Sequence, residues 1–554
     1  MLYQYDNQRG MQGNMVWQGA AQGQHVQVQP RPTPPSLPVA PPAPKPKKKN
    51  HWLRNLALLA LLVLLLAGGI GIAAQAYTAS DEFQVRIGNQ QLAMVDLRES
   101  VPVSADLLGA NVFPEAGTSS QDAPLNGFMS YTAAITNGLQ SAHIKLLRFP
   151  GGEWGEEHTY SYQQLNDFAA LLNAIHGDGM IQAQLTGPGV QVGSLATRAS
   201  QAGLVVDYMN NQHSSQRAGK NASAPFHPVV LWTVGNEPDL LKNPDTAQTY
   251  TAAQYADAFI QFSLAMHQID PAIKVFGPEI SQFYGVGVGP RDATGALWME
   301  TFLSKVSGYE RAHPTLRFHL LDGVSFHLYP FNDASQASAL LLSSADEWDY
   351  LLPPLRQLIR QDFGRAIPIA VTEVNTNPNS AVPTRGQAAL WWADTLGRLM
   401  SQQVQDVAFF SAEGVDTPYP LFTRAALRET PMLRAMQLFA HLQQNYVPVQ
   451  VAREPVSMYA TTDAARQTVS LLFINKSASS QQAQVGAEPA LLPIGAWPQM
   501  TINLAPYSIV VLTQRRDGSA VAYSFVTPGN SSTTPAITQT QCGQQSNTAS
   551  SAVC

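Results

Sequence analysis

The sequence predicts an α/β protein: a closed (β/α)8 TIM barrel with an accessory antiparallel β-sandwich, preceded by a single transmembrane helix. Three observations point there. Between Ser104 and Asn445, eight short apolar, β-branched runs alternate with longer amphipathic stretches. Polar and charged residues gather where those runs end, which is where such a barrel keeps its chemistry. After residue 445 the hydrophobic period changes from helical spacing to two.

In chain order, residues 1–52 are rich in Pro, Gln and Gly and end in a lysine cluster at 45–49. They hold too few apolar residues to offset chain entropy, so they read as a disordered cytoplasmic segment. The stretch 53–76 follows, and from Leu56 to Ala76 it carries no charge. As a helix it would be roughly 30 Å long, the thickness of the hydrocarbon layer. The lysines and Arg54 lie on its N-terminal side, which keeps the N-terminus in the cytoplasm and exports the rest. Ala74-Gln-Ala76 also has the small-x-small form of a signal-peptide cleavage site. Cleavage would release a secreted protein, whereas retention leaves a single-pass membrane protein with an extracellular domain.

Residues 77–103 carry short strands expected to join the accessory β domain, and 104–445 form the barrel. Its predicted strands are Leu107 to Phe113, Ile144 to Phe149, Ile181 to Thr186, Val229 to Val234, Ile273 to Gly277, Gly323 to His327, Ile367 to Thr372 and Val407 to Phe410. Stripes such as Leu165, Phe168, Ala169, Leu172, Ile175, and Tyr255, Phe259, Phe262, Met266, Ile269, have the spacing of helices lying on a sheet. An open doubly wound sheet would share the alternation. It would not call for carboxylates at the ends of strands four and seven. Residues 446–515 read as the sandwich, with alternating strands at Thr468 to Asn475 and Ser508 to Thr513. Residues 516–554, rich in Ser, Thr, Gln and Gly, read as a disordered tail.

The net charge of −6 argues against a nucleic-acid partner. The two cysteines, Cys542 and Cys554, both lie in the tail, so the core must stand on packing; they could close a small loop or link chains. The sequence carries no signal of oligomeric state, of a cofactor, or of a catalytic metal site.

The chemistry lies at the strand ends. Strand four ends in Gly235-Asn-Glu-Pro238 and strand seven in Thr372-Glu-Val-Asn375, presenting Glu237 and Glu373. Facing carboxylates at a barrel mouth can break a glycosidic bond, one as proton donor and one as nucleophile or base. Asn236, directly before Glu237, can turn toward a sugar hydroxyl. Strand two ends in Leu147-Arg-Phe-Pro-Gly-Gly152, where Arg148 can hold a carboxylate ionised and the glycines let backbone approach a ligand. Strand six brings His327 and Tyr329 to the same rim. On this reading Arg148 and a phenol keep Glu373 ionised, while apolar neighbours such as Trp232 help Glu237 keep its proton. Trp154 and Trp232 are as readily packing residues as sugar platforms. Glu153, Glu279 and Glu413 read as ordinary strand-end polar residues.

These motifs resemble the clan A retaining glycoside hydrolases, over roughly residues 104 to 513. Gly-Asn-Glu-Pro-Asp-Leu at 235–240 is similar to family 79, with family 39 close behind. Leu-Arg-Phe-Pro-Gly-Gly at 147–152 is similar to family 51, and Thr-Glu-Val-Asn at 372–375 to family 39. The resemblance implies Glu237 as acid/base, Glu373 as nucleophile and Asn236 as a 2-hydroxyl contact. It also implies that Arg148 and Tyr329 bond to the nucleophile and that His327 lines the sugar site. The expected activity is hydrolysis of an extracellular oligo- or polysaccharide, with carbohydrate and membrane as partners. A silent glycan-binding barrel and a transglycosylase are the alternatives, and the sugar, its linkage and endo or exo action stay open.

Overall fold

The computed structural model describes residues 81–88, 91–116, 129–187, 193–331, 343–378, 383–414, 419–424, 426–451, 454–486, 497, 499–529, 531 and 533–542. Eight parallel strands close into a barrel in sequence order: β1 (Gly109–Asn111), β2 (Leu146–Phe149), β3 (Asp178–Ala183), β4 (Leu231–Val234), β5 (Lys274–Ile280), β6 (Gly323–Leu328), β7 (Ile369–Val374) and β8 (Asp406–Phe409). Alternation sets the two faces. Leu146, Met180, Leu231, Phe276 and Ala370 form an apolar layer inside, while neighbours such as Leu147, Ile181, Trp232 and Val371 join the core shared with the helices. Gly323 is required here, because a Cβ would sit 1.9 Å from the Phe276 ring. One residue pair further along, the inward positions turn polar, at Arg148, Gln182, Thr233, Ser325 and Thr372.

The helices form where the periodicity placed them. Tyr162–Ile175 starts at a reciprocal capping box between Ser161 and Gln164 and buries Leu165, Phe168, Ala169, Leu172 and Ile175. Ala252–Ile269 starts at Thr251 and Gln254 in the same way and buries Tyr255, Phe259, Phe262 and Met266, whereas Ile269 lies exposed at its end.

Two antiparallel sheets make the accessory domain. One orders Met500–Leu504, Gln481–Gly486, Glu82–Ile87 and Gln91–Asp96; the other runs from Thr538–Cys542 through Ala520–Val526, Ser508–Arg515, Thr468–Asn475, Val456–Thr462 and Asn445–Val447 to Val101–Pro102. Their facing side chains, among them Phe83, Val85, Leu471, Phe473 and Leu512, form a separate core. The sandwich is fastened to the barrel through fully buried Asp394 on the helix Arg385–Ser401, which accepts from Tyr459 Oη at 2.6 Å and Lys476 Nζ at 3.0 Å.

Two expectations need correction. The tail predicted to be disordered from residue 516 supplies two strands, Ala520–Val526 and Thr538–Cys542. Ala520, Ala522 and Cys542 are buried in the sandwich core, a period-two pattern built from small residues. Strand three lies three residues earlier than predicted, because Asp178 to Ile181 pair with β2 while the Leu185 and Thr186 amides bond to the Glu156 carboxylate. Among the described residues no helix is long and apolar enough to cross a membrane. The span predicted at 53–76 and the segment 1–52 lie outside the described residues. Cys542 is disulfide-bonded.

At the opposite end of the barrel from the polar mouth, Asp406 is buried with Oδ2 unpartnered, near Asp106, Asp178 and Lys274. Burial, and then the Asp106 charge, push its pKa up to about 8. A carboxyl raised on folding contributes stability below its unfolded value, near 3.8, and loses it as pH rises through about 8. Asp406→Asn mimics the neutral form. Its thermal midpoint should match the parent's near pH 4, exceed it increasingly up to about pH 8 and by a constant margin above that, as followed by circular dichroism.

Candidate active site

Arg148 is the centre of the polar layer. Its side chain has no exposure, and both terminal nitrogens are fully engaged. Nη1 donates to Asn111 Oδ1 at 2.8 Å and Glu373 Oε1 at 2.9 Å; Nη2 donates to Asn236 Oδ1 at 2.8 Å and Glu279 Oε2 at 2.7 Å. A guanidinium this deep is tolerable only with such paired acceptors. Asn111 in turn donates from Nδ2 to the Thr372 carbonyl at 2.9 Å and the Ala408 carbonyl at 3.1 Å, tying β1 to β7 and β8.

The two glutamates singled out in the sequence meet above this arginine. Glu237 follows β4 with a positive φ of 45°, and its amide donates to the Glu279 carbonyl at 2.9 Å. Glu373 sits in β7 where the register with β6 shifts. Tyr329 donates its hydroxyl to Glu373 Oε2 at 2.6 Å. His327 Nδ1 is 2.9 Å from Glu237 Oε1 and 3.6 Å from Glu373 Oε2. One carboxylate oxygen from each glutamate and one nitrogen of His327 lie within 4.8 Å of one another. Asn236 is buried, and its Nδ2 has no acceptor, so it is a donor left over for a ligand. All six residues picked from the sequence therefore come together.

Gly152 brings the loop after β2 onto the nucleophile candidate: a Cβ there, at φ +56°, would lie 3.3 Å from Glu373 Oε1 and 2.9 Å from the Phe410 ring. Phe410, just after β8, meets Tyr329 edge-on with centroids 6.4 Å apart, and is part of the pair's surroundings by these contacts. The two tryptophans are not. Trp232 points away from the mouth into the helix layer and donates from Nε1 to the Val229 carbonyl, so it does not flank the Glu237 carboxyl as expected. Trp154 is buried against His158. Glu153 is exposed, and Glu413 accepts from the Ser130 amide.

Glu279 departs most from its expected role as an ordinary strand-end carboxylate. It is fully buried and bonds to Arg148, while Thr372 Oγ1 donates to its Oε1 at 2.8 Å. Nothing in the sequence around it, Gly277-Pro-Glu-Ile280, signals that it turns inward. Asn111 and Phe410 likewise belong to the site without standing in a distinctive motif.

Electrostatics divide the three carboxylates. At Glu279 the burial penalty is overcome by the Arg148 charge and by His327, leaving its pKa at about 2. At Glu373 burial wins over the His327 and Arg148 charges and the Tyr329 hydrogen bond, so its pKa lies above the ordinary carboxylate value. This reverses the expectation that Arg148 and the phenol would dominate there. At His327 burial is outweighed by Glu373, Glu237 and Glu279, which raise its pKa to about 10. Burial, reinforced by the Glu373 charge, holds the Tyr329 phenol well above its usual pKa, so it remains a donor. The cluster thus sets two cations against three carboxyl groups. Glu237, His327 and Glu373 offer one atom each within 4.8 Å of one another, close enough for a metal, and both Glu373 oxygens already accept hydrogen bonds.

A closed parallel barrel flanked by a β-sandwich is a fold this chain shares with solved glycoside hydrolases. The solved structures it matches include a Thermotoga maritima α-L-arabinofuranosidase in an arabinose complex, with TM-score 0.55 and 16% identity, covering 76% of this chain and 99% of that one. A family 51 α-L-arabinofuranosidase from Thermotoga petrophila matches with TM-score 0.55 and 15% identity, covering 78% and 99%. A Paenibacillus polymyxa xyloglucanase of family 44 gives 0.53 and 12%, covering 78% and 98%. No protein-family model and no curated protein sequence matches the chain.

Removing the central cation leaves Glu279 and Glu373 buried without it. Arg148→Met should cost about 3–5 kcal/mol of unfolding free energy in denaturant titrations, far more than its loss of packing alone.

Proposed function

We propose that this protein is a retaining glycosidase with Glu373 as nucleophile and Glu237 as acid/base. The observation that carries this reading is the separation of the two carboxylates, whose oxygens approach within 4.8 Å. Retention needs the pair about 5–5.5 Å apart, whereas inversion needs room for a water and about 6.5–9.5 Å. In the first step Glu373 attacks the anomeric carbon while Glu237 gives its proton to the departing glycosidic oxygen. The C–O bond to the leaving group breaks and an ester to Glu373 forms. Glu237, now ionised, takes a proton from water, and that oxygen displaces Glu373 from the sugar.

Negative charge therefore moves from Glu373 to Glu237 and back. His327 Nδ1 faces both carboxylates, so one fixed cation stabilises each state. Tyr329 and Arg148 hold Glu373 in place, and the free Asn236 Nδ2 is available to the sugar's 2-hydroxyl.

The substrate we infer is a neutral sugar of a poly- or oligosaccharide, an arabinofuranoside or xyloside rather than a glucuronide. Among the described residues Arg148 and His327, the cations of the cluster, are already engaged by its own carboxylates rather than held free for a uronic acid. The matched structures titled arabinofuranosidase and xyloglucanase agree with neutral substrates at the level of fold. The apolar stretch 53–76 and the lysines before it support an extracellular enzyme held by one N-terminal helix.

On a panel of aryl glycosides, neutral pentosides should turn over and the glucuronide should not, with the first product anomer retained by NMR. An inverted product would sink the mechanism. Glu373→Ala should fall to background. Glu237→Ala should lose about 10²–10⁴-fold on poor leaving groups and much less on activated ones. Equal losses on both would remove Glu237 from the acid role.

A further inference from the structure

Strand β5 does not run through regularly. Pro278 pairs with Ser325 and Ile280 with Phe326, so Glu279 is the extra residue of a bulge, and it takes a φ of +60° that a non-glycine residue seldom adopts. Such a conformation persists only where its surroundings hold it, and it tends to occur at functional sites. Here it turns a carboxylate into the barrel beneath every group of the mechanism. Oε2 lies 2.7 Å from Arg148 Nη2 and 3.6 Å from His327 Nε2, while Oε1 accepts from Thr372 Oγ1 at 2.8 Å. The Glu279 carbonyl accepts the amide of Glu237 at 2.9 Å, so the same residue fixes the backbone of the acid/base.

We propose that Glu279 is a positioning residue: its buried carboxylate, turned inward by the β5 bulge, keeps His327 cationic between Glu237 and Glu373. The 3.6 Å separation at Nε2 makes this an ion pair beyond ordinary hydrogen-bond length. The other ring nitrogen faces Glu237 and Glu373, Tyr329 lies two residues along β6's exit, and Asp239 also feels the imidazole charge. Of these anions, Glu373 is neutralised when the sugar ester forms and Glu237 alternates between acid and base. Glu279 touches no substrate and keeps its charge throughout. It is the constant anion of the cluster, and its strongly depressed pKa agrees with that.

The roles of Glu237 and Glu373 in this argument rest on the proposed glycosidase mechanism, but the test does not need turnover. Isotope-labelled histidine in the full-length protein, with the His327 signal assigned by its loss in His327→Gln, reports the imidazole directly. In the wild type the signal should remain that of an imidazolium through about pH 8. In Glu279→Gln the titration should fall by at least about one pH unit, and Glu279→Asp, which keeps the charge, should recover most of it. A wild-type His327 that titrates near the ordinary value of about 6.5, or an unmoved titration in Glu279→Gln, overturns the proposal. An ordinary titration in the wild type overturns the proposal whether or not the glutamine variant folds, and if that variant does not fold, a lowered His327 titration in Glu279→Ala against a kept one in Glu279→Asp carries the assignment. Where turnover is measurable, the alkaline limb of kcat/KM should move to lower pH in Glu279→Gln, whereas a purely structural defect lowers the rate without moving the limb.

Discussion

The buried guanidinium of Arg148 is the constraint on which the mouth of the barrel is built. An arginine with no exposure needs acceptors and a balanced charge, and although Nε has no partner, the terminal nitrogens find four acceptors at the ends of β1, β4, β5 and β7. Each acceptor is thereby fixed in place: Asn111 ties neighbouring strands, Asn236 is left with a free donor, Glu373 is oriented toward the opening and Glu279 is locked underneath. The same bonds that make the arginine tolerable pre-organise the pair of reactive carboxylates.

That arrangement stores conflict. Glu237 and Glu279 both adopt positive φ, and β5 and β7 both break register with β6 at the site. Burial raises Glu373 while Arg148 and His327 pull against it. The support comes from elsewhere in the molecule. A buried apolar layer of Leu146, Met180, Leu231, Phe276 and Ala370 lies deeper in the barrel, and a sandwich bonded through Asp394 and Lys476 braces its side.

Much of this is legible in the amino-acid sequence. A parallel strand buried on both faces leaves a continuous apolar run, so the eight strands stand out, and the chemistry-bearing residues at their C-terminal ends can be picked by position. Glu237, Glu373, Asn236, Arg148, His327 and Tyr329 are all found that way. Glu279 is not, because a bulge adds one residue and reverses the facing that alternation assigns. Trp232 misleads for a related reason: nearness to Glu237 in sequence says nothing about facing, and Trp232 is an outward position of β4. The last strands of the sandwich are hard to see because Ala520 and Ala522 bury too little apolar area to mark a strand by hydrophobicity.

Local periodicity, with the rule that chemistry sits at strand ends, is enough to specify the barrel, its strand order and six of the side chains at its mouth. What those side chains do to one another is a property of the closed fold alone. Charge balance, hydrogen-bond saturation and a cation shared between carboxylates depend on distances across the barrel between residues far apart in the chain. No local pattern encodes them, and they arise only when the barrel closes and excludes water from its centre.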